Sequence, residues 1–228
     1  MQDIISINNI SVSYKGTDAV NNISLNVKKG EFIGITGPNG GGKTTFFKAI
    51  LGLLPLDSGE IKISGNSIKK SRNIIGYVPQ TSVIDRDFPI TALETVMSSL
   101  LGTGLHPFKR FKKEDKIKAI SILQKMGLKD YINNPVSALS GGEFQKLLIA
   151  RVLVSNPDIL MLDEPISNID SNSREEIYQI LENLNKEGKT VLMITHDMQN
   201  IGRFSRIVSI NRTVSYDGSP SDFVNIER

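Results

Sequence analysis

Cysteine is absent from the 228 residues, which excludes disulfides and thiolate metal sites and suits a reducing compartment. Histidine occurs only twice, as His106 and His196, far apart in sequence, so no dedicated transition-metal site is expected. No run approaches the roughly 18 apolar residues of a membrane span. The N-terminal MQDIISINN has neither a basic n-region nor an apolar h-region, so a soluble chain that stays inside the cell is expected. Charge of one sign is also lacking: 27 basic and 24 acidic residues leave a net +3. The densest basic run, KRFKK at 109 to 113, reads as a solvated loop or partner-facing edge, and no nucleic-acid partner is expected. The length suits one large core, or a core with a small subdomain.

What is present is glycine in one place. TGPNGGGKTT, residues 36 to 45, could be a loose linker or a backbone bent around a ligand. Its neighbours decide, because EFIGI before it leans to strand and FFKAILGLL after it has helical spacing until Pro55. Gly37, four residues, then Gly42, Lys43 and Thr44 is the spacing of a P-loop between strand and helix. Gly37, Gly40, Gly41 and Gly42 let successive N–H groups turn inward around phosphate oxygens, with Pro38, Asn39 and Thr45 completing the cradle. The helix N-terminus adds partial positive charge, Lys43 reaches the β and γ phosphates, and the Thr44 hydroxyl is placed for Mg²⁺. The bland alternative is a ligand-free αβ loop.

Along the chain, ISVSY (10 to 14) and ISLNV (23 to 27), followed by turn signals, predict an antiparallel sheet leading into the P-loop strand. IIGYV (74 to 78), DILMLD (158 to 163) and TVLMIT (190 to 195) predict further strands; the nearly continuous apolar character of the last two fits a parallel sheet buried on both faces. Between Gln80 and Asn156 the pattern turns helical, with TALETVMSSLL, the Ile117, Ile120, Leu123 series and Gly127 as a C-cap. RIVSINRTVSYDG near the end predicts a hairpin about Asn211 and Arg212 and carries no chemistry of its own.

Asp163, closing DILMLD, is placed to hold Mg²⁺, and Glu164 follows where it can act as general base on water. LSGGE, residues 139 to 143, has capping-box spacing from Ser140 to Glu143, ahead of an apolar face of Phe144, Leu147, Leu148 and Val152. A capped N-terminus with Gly141 and Gly142 bare is also an anion site.

LSGGE resembles the LSGGQ signature of the ATP-binding cassette (ABC) ATPases, and with GPNGGGKTT and ILMLDE the resemblance covers essentially the whole chain. It implies an α/β fold: a P-loop NTPase core with mixed sheet, an N-terminal antiparallel β subdomain and an inserted α-helical subdomain. The whole chain, 1 to 228, would be a single nucleotide-binding domain, with 1 to 80 and 157 to 228 the catalytic core and antiparallel sheet, and 81 to 156 the helical subdomain bearing the signature. Further roles follow from the resemblance. Tyr14 would stack on adenine, Gln80 would sense Mg²⁺ and the γ-phosphate, SNID (167 to 170, with Asp170) would be the D-loop, and His196 the switch histidine. Lys43, Gln80, Glu164 and His196 would form the catalytic set, and Thr44, Gln80 and Asp163 the Mg²⁺ set. Ser140, Gly141, Gly142 and Glu143 would complete the ATP site of a second copy.

The departures are Glu143 for glutamine, Asn168 where the D-loop has a small residue, and Gly41, which adds flexibility where alanine or serine is commoner. TSVIDRDFPITALETV, from residue 81, looks like the zinc and manganese importer branch. Integral membrane permease subunits, an extracytoplasmic substrate-binding protein reached through them, and a place on the inner face of the plasma membrane are then expected. The alternatives are another substrate such as an iron chelate, an exporter, or a soluble accessory ATPase in cofactor assembly. A DNA-repair ATPase would carry a long coiled coil between Lys43 and Ser140, and no sustained heptads stand there.

Overall fold

The computed structural model describes residues 2–14, 17–81, 84–101 and 111–226. Strands β1 (Asp3–Tyr14) and β2 (Thr17–Lys28) pair antiparallel. Both begin well before the segments predicted for them, because register shifts interrupt the alternation; Asn9 and Asn22 take φ of 48° and 50°, a conformation asparagine tolerates better than most residues. Strands β4 (Ser58–Ile63) and β5 (Asn66–Ser67) extend this sheet in the order β2-β1-β4-β5. Neither was expected: the first half of SGEIKI is exposed, which leaves Ile61 and Ile63 alone to signal a strand.

The second sheet runs β10 (Thr213–Gly218), β9 (Arg206–Asn211), β3 (Phe32–Thr36), β8 (Thr190–Ile194), β7 (Ile159–Asp163), β6 (Ile75–Val78). All neighbours are parallel except the β9/β10 hairpin. Every residue of β3, β7 and β8 is buried, as the apolar runs required of strands covered on both sides.

Successive side chains of a strand point to opposite faces, and the two faces carry different cores. Ile33, Ile35, Met161 and Leu192 pack with Phe46 and Phe47 of α1 (Lys43–Ile50) and with the antiparallel sheet. Phe32, Leu160, Leu162, Val191 and Ile207 face the other way, toward α3 (Ala92–Ser98), α4 (Lys113–Lys125), α5 (Gly141–Leu153) and α6 (Ser171–Lys186). Short α2 (Ile68–Ser71) follows β5, and α7 (Pro220–Ile226) is the last described element.

Among the described residues between Gln80 and Asn156 the regular elements are helices, as expected, and an isolated bridge joins Thr91 and Pro135. Helix α1 stops at Ile50, short of Pro55, because Gly52 turns left-handed at φ 62°. In α4 the predicted apolar series holds for the fully buried Leu123, but Ile117 is exposed. Gly127 adopts φ 72° just past α4, and its N–H and that of Leu128 return to Gln124 and Leu123 carbonyls, a Schellman-type end.

Candidate active site

The parallel strands end on one rim, and the chemistry-bearing residues follow them directly. Beyond β3 the backbone turns through Gly37, Gly40 and Gly42 at φ of 133°, 77° and 93° before α1 begins at Lys43. Gly37 has no alternative: a Cβ there would lie 2.1 Å from the Ile210 carbonyl oxygen. Gly41 takes no left-handed φ, and a Cβ on it would come within 2.8 Å of the same oxygen. Close approach of the β9/β10 hairpin, rather than a need for flexibility, therefore explains glycine at 41. The hairpin that carried no chemistry in sequence holds the loop from behind, since Arg212 N–H donates to the Gly41 carbonyl at 2.8 Å.

A cavity of about 510 Å³ opens over this loop, lined by Ala19, residues 39 to 45, Gln80, Glu164 and His196. Lys43 Nζ donates to the carbonyls of Gly37 and Pro38, at 2.9 and 2.8 Å. Burial lowers its pKa, against the raising effect of Glu164 and Asp163. Gln80, just past β6, donates from Nε2 to Glu164 Oε2 at 2.9 Å, and His196 Nε2 lies 3.2 Å from Glu164 Oε1. Two residues distant in sequence thus meet on the Glu164 carboxylate, because β6, β7 and β8 are adjacent strands. Glu164 itself sits at φ 51°, a conformation costly for a non-glycine residue and found where surrounding structure enforces it.

Asp163 is almost wholly buried. Burial raises its pKa, the Thr44 hydroxyl lowers it, the neighbouring Glu164 charge raises it, and Tyr77 lowers it again. The Tyr77 hydroxyl donates to Oδ2 at 3.4 Å, whereas the buried Oδ1 has no hydrogen-bond partner. An unpaired buried carboxylate oxygen on a residue reached by the Thr44 hydroxyl, with Thr44 and Gln80 lining one cavity, is an oxygen donor set that fits a hard cation such as Mg²⁺. Tyr77 was not among the residues singled out in sequence; its place two residues before Pro79 on a predicted strand is too ordinary a signal.

The signature lies elsewhere on this chain. Ser140 caps α5: its hydroxyl accepts from Glu143 N–H at 3.3 Å and its own N–H donates to the Glu143 carboxylate at 2.8 Å. A Cβ at Gly142 would lie 2.1 Å from Ser173 Oγ, and Gly141 stands near Ile169 and Asn168. Residues 140 to 143 therefore sit against the start of α6, and none of them lines the P-loop cavity. Asp170 caps α6, accepting from Ser173 N–H at 2.9 Å. Asn168 has φ 59°, which asparagine tolerates and which accounts for it at that position. The Tyr14 side chain and His106 lie outside the described residues.

A second hollow of about 460 Å³ adjoins the first, walled by Glu164, Asn168, Arg174, His196 and Asp197 among others. Among the described residues no helix is long and apolar enough to cross a membrane, and no group of three or more His, Cys, Asp or Glu could hold a metal ion.

The family profile for the ABC transporter matches residues 20–167. The chain belongs to the ABC transporter family. It is an ATP-binding cassette that hydrolyses ATP, and its mixed sheet, antiparallel sheet and helices are those of the ABC ATPase fold. The cassette is 43% identical over 196 residues to a manganese transport system ATP-binding protein of Bacillus subtilis, covering 86% of this chain and 78% of that protein. A high-affinity zinc uptake system ATP-binding protein of the same organism is 38% identical over 213 residues, covering 92% of each. Among solved structures, a dimeric post-hydrolysis ATP-binding cassette bound to ADP and phosphate superposes with a TM-score of 0.82 at 30% identity, covering 95% of this chain and 98% of that one.

Proposed function

We propose that this cassette is the ATP-hydrolysing subunit of a transporter that imports a divalent metal ion, zinc or manganese, through separate membrane subunits. The observation that carries the substrate class is the near full-length similarity to the manganese and zinc transport proteins, together with the DRDFPIT run at 85 to 91. The cassette then works in the cytoplasm on the inner membrane face, with a substrate-binding protein reached only through the permease.

In this reading two copies meet head to tail around two ATP molecules. Lys43 and the P-loop amides take the phosphates, Tyr14 stacks on adenine, and Ser140 and Gly142 of the second copy close over the γ-phosphate. That arrangement explains why the signature stands apart from the cavity of its own chain. Thr44, Asp163 and Gln80 are the residues that would hold Mg²⁺, which neutralises charge on the phosphates when bound. Glu164 accepts a proton from the attacking water; the water oxygen bonds to the γ-phosphorus as the bond to the ADP oxygen breaks. His196 and Gln80 hold the Glu164 carboxylate through the contacts described above. Loss of the γ-phosphate removes a bridge between the copies, and their different affinity for ATP in closed and open states turns hydrolysis into motion.

The permease docks beyond Gln80, where Phe88 stands 60% exposed beside a groove of about 250 Å³ lined by Ile84, Asp85, Ile90 and Arg151. We propose residues 81 to 156 as the unit that moves with it.

The test is growth of a strain lacking the cassette in medium stripped of zinc and manganese. The wild-type gene should restore growth; Glu164→Gln, expected to lose roughly 10²- to 10⁴-fold in turnover as a missing general base, should not. Excess of one metal alone should rescue both and identify the ion. Normal growth of the deletion strain in stripped medium overturns the metal-import reading.

A further inference from the structure

Arg86 belongs to the DRDFPIT run, on the side of the cassette where the membrane partner is proposed to dock. Its guanidinium Nη2 donates to the carbonyl of Leu139, the residue immediately before Ser140. Its Cζ also lies 4.8 Å from the centroid of the Phe144 ring, on the first turn of α5. One side chain therefore grips the signature on both sides of its capping box. A planar guanidinium can donate in its plane and stack on a ring face at once, which an ammonium group cannot.

The segment carrying Arg86 is itself fixed to the loop that leads into the signature. Asp85 folds the run through its carboxylate, which accepts Asp87 N–H at 3.0 Å. Farther along, Val136 N–H donates to Ile90 O at 2.9 Å, Ala92 N–H to Asn134 O at 3.0 Å, and Thr91 bridges Pro135. Residues 85 to 92 and 134 to 139 thus form one bonded strap, and Arg86 is the contact that carries it onto the anion-binding end of α5.

We propose that Arg86 is a positioning residue for the signature: it holds Leu139 and Phe144 so that Ser140 and the Gly141 and Gly142 amides are aimed at the phosphate of a second copy. The Ser140 hydroxyl already accepts Glu143 N–H, which leaves its own proton to donate outward. Displacement of the strap at the docking side would then alter ATP closure without touching the P-loop. This rests on the head-to-tail reading of the signature.

The full chain is compared as wild type, Arg86→Ala and Arg86→Lys by hydrogen exchange of peptides spanning 139 to 144. ATP-driven dimerisation is followed in the Glu164→Gln background, and affinity for a fluorescent ATP analogue (MANT-ATP) on the monomer. Loss of a charge-assisted bond should speed exchange of the 140 to 143 amides, and raise the ATP needed for half-dimerisation, by roughly tenfold. Monomer affinity for MANT-ATP should stay unchanged, the melting temperature should fall by no more than roughly 2–4 °C, as for one lost bond in a chain of this size, and lysine should rescue only in part. Wild-type exchange in Arg86→Ala overturns the positioning role, as does an unchanged ATP requirement. If Glu164→Gln alone does not dimerise with ATP, the head-to-tail reading fails, while the exchange data still decide whether Arg86 holds the signature.

Discussion

Glu143 closes the capping box of α5 and is held from a second side by Tyr131. Glu143 was legible as the capping partner of Ser140 from spacing alone, and the structure forms that box. Its second partner was not legible: the Tyr131 hydroxyl, brought over by the turn after α4, holds the Glu143 carboxyl below its usual pKa of 4.5, ahead of the contributions from Ser140. A depressed folded pKa means that the unfolded chain binds more protons between the two values. The stabilisation is therefore present above about pH 4.5 and is lost as pH falls through the folded value. Tyr131→Phe should melt below wild type at pH 7, and the gap should narrow toward pH 4. A gap that stays constant with pH would mean that the hydroxyl acts through packing alone.

Helices and strands were readable to the extent that they carried their own punctuation. Helix α3 has a complete capping box, with Thr91 Oγ1 accepting Glu94 N–H at 3.2 Å and the Glu94 carboxylate accepting Thr91 N–H at 2.9 Å. Thr91→Ala should cost about 1 kcal/mol, as for other N-caps, and lower the melting temperature by roughly 2–4 °C in a chain of this size. No shift in a thermal melt would show that the strap between Thr91 and Pro135 suffices to hold the helix start. Strand β4 lacked such punctuation. With three exposed residues at its start it has a sheet conformation only because β1 offers it a partner, and pairing of that kind is written far away in the chain.

For the molecule as a whole, the two cores on either face of one buried sheet fix the site as a rim of strand ends. Occupying that rim should stabilise the entire fold, because a ligand that binds only the native state adds about 2.7 kcal/mol at a hundredfold excess over its dissociation constant. A slowly hydrolysed ATP analogue with Mg²⁺ should raise the melting temperature by several degrees, of the order expected from that figure. Chelating the metal should remove part of the gain, and Asp163→Asn should abolish the metal-dependent part. A gain indifferent to chelation would take Asp163 Oδ1 out of the proposed Mg²⁺ set.

The sequence by itself determined the pieces that are contiguous: the glycine loop between strand and helix, the acidic pair closing an apolar strand, and the capped helix of the signature. Each is a short-range pattern whose backbone requirements are met by neighbouring residues. Only the tertiary structure decided what those pieces face. Adjacent parallel strands bring Gln80 and His196 onto Glu164, while the β9/β10 hairpin seats itself behind Gly37 and Gly41. Tyr77 reaches Asp163, and Arg86 reaches across to Leu139 and Phe144. These contacts join residues far apart in the chain, and strand order and core packing, rather than any local period, bring them within reach of one another.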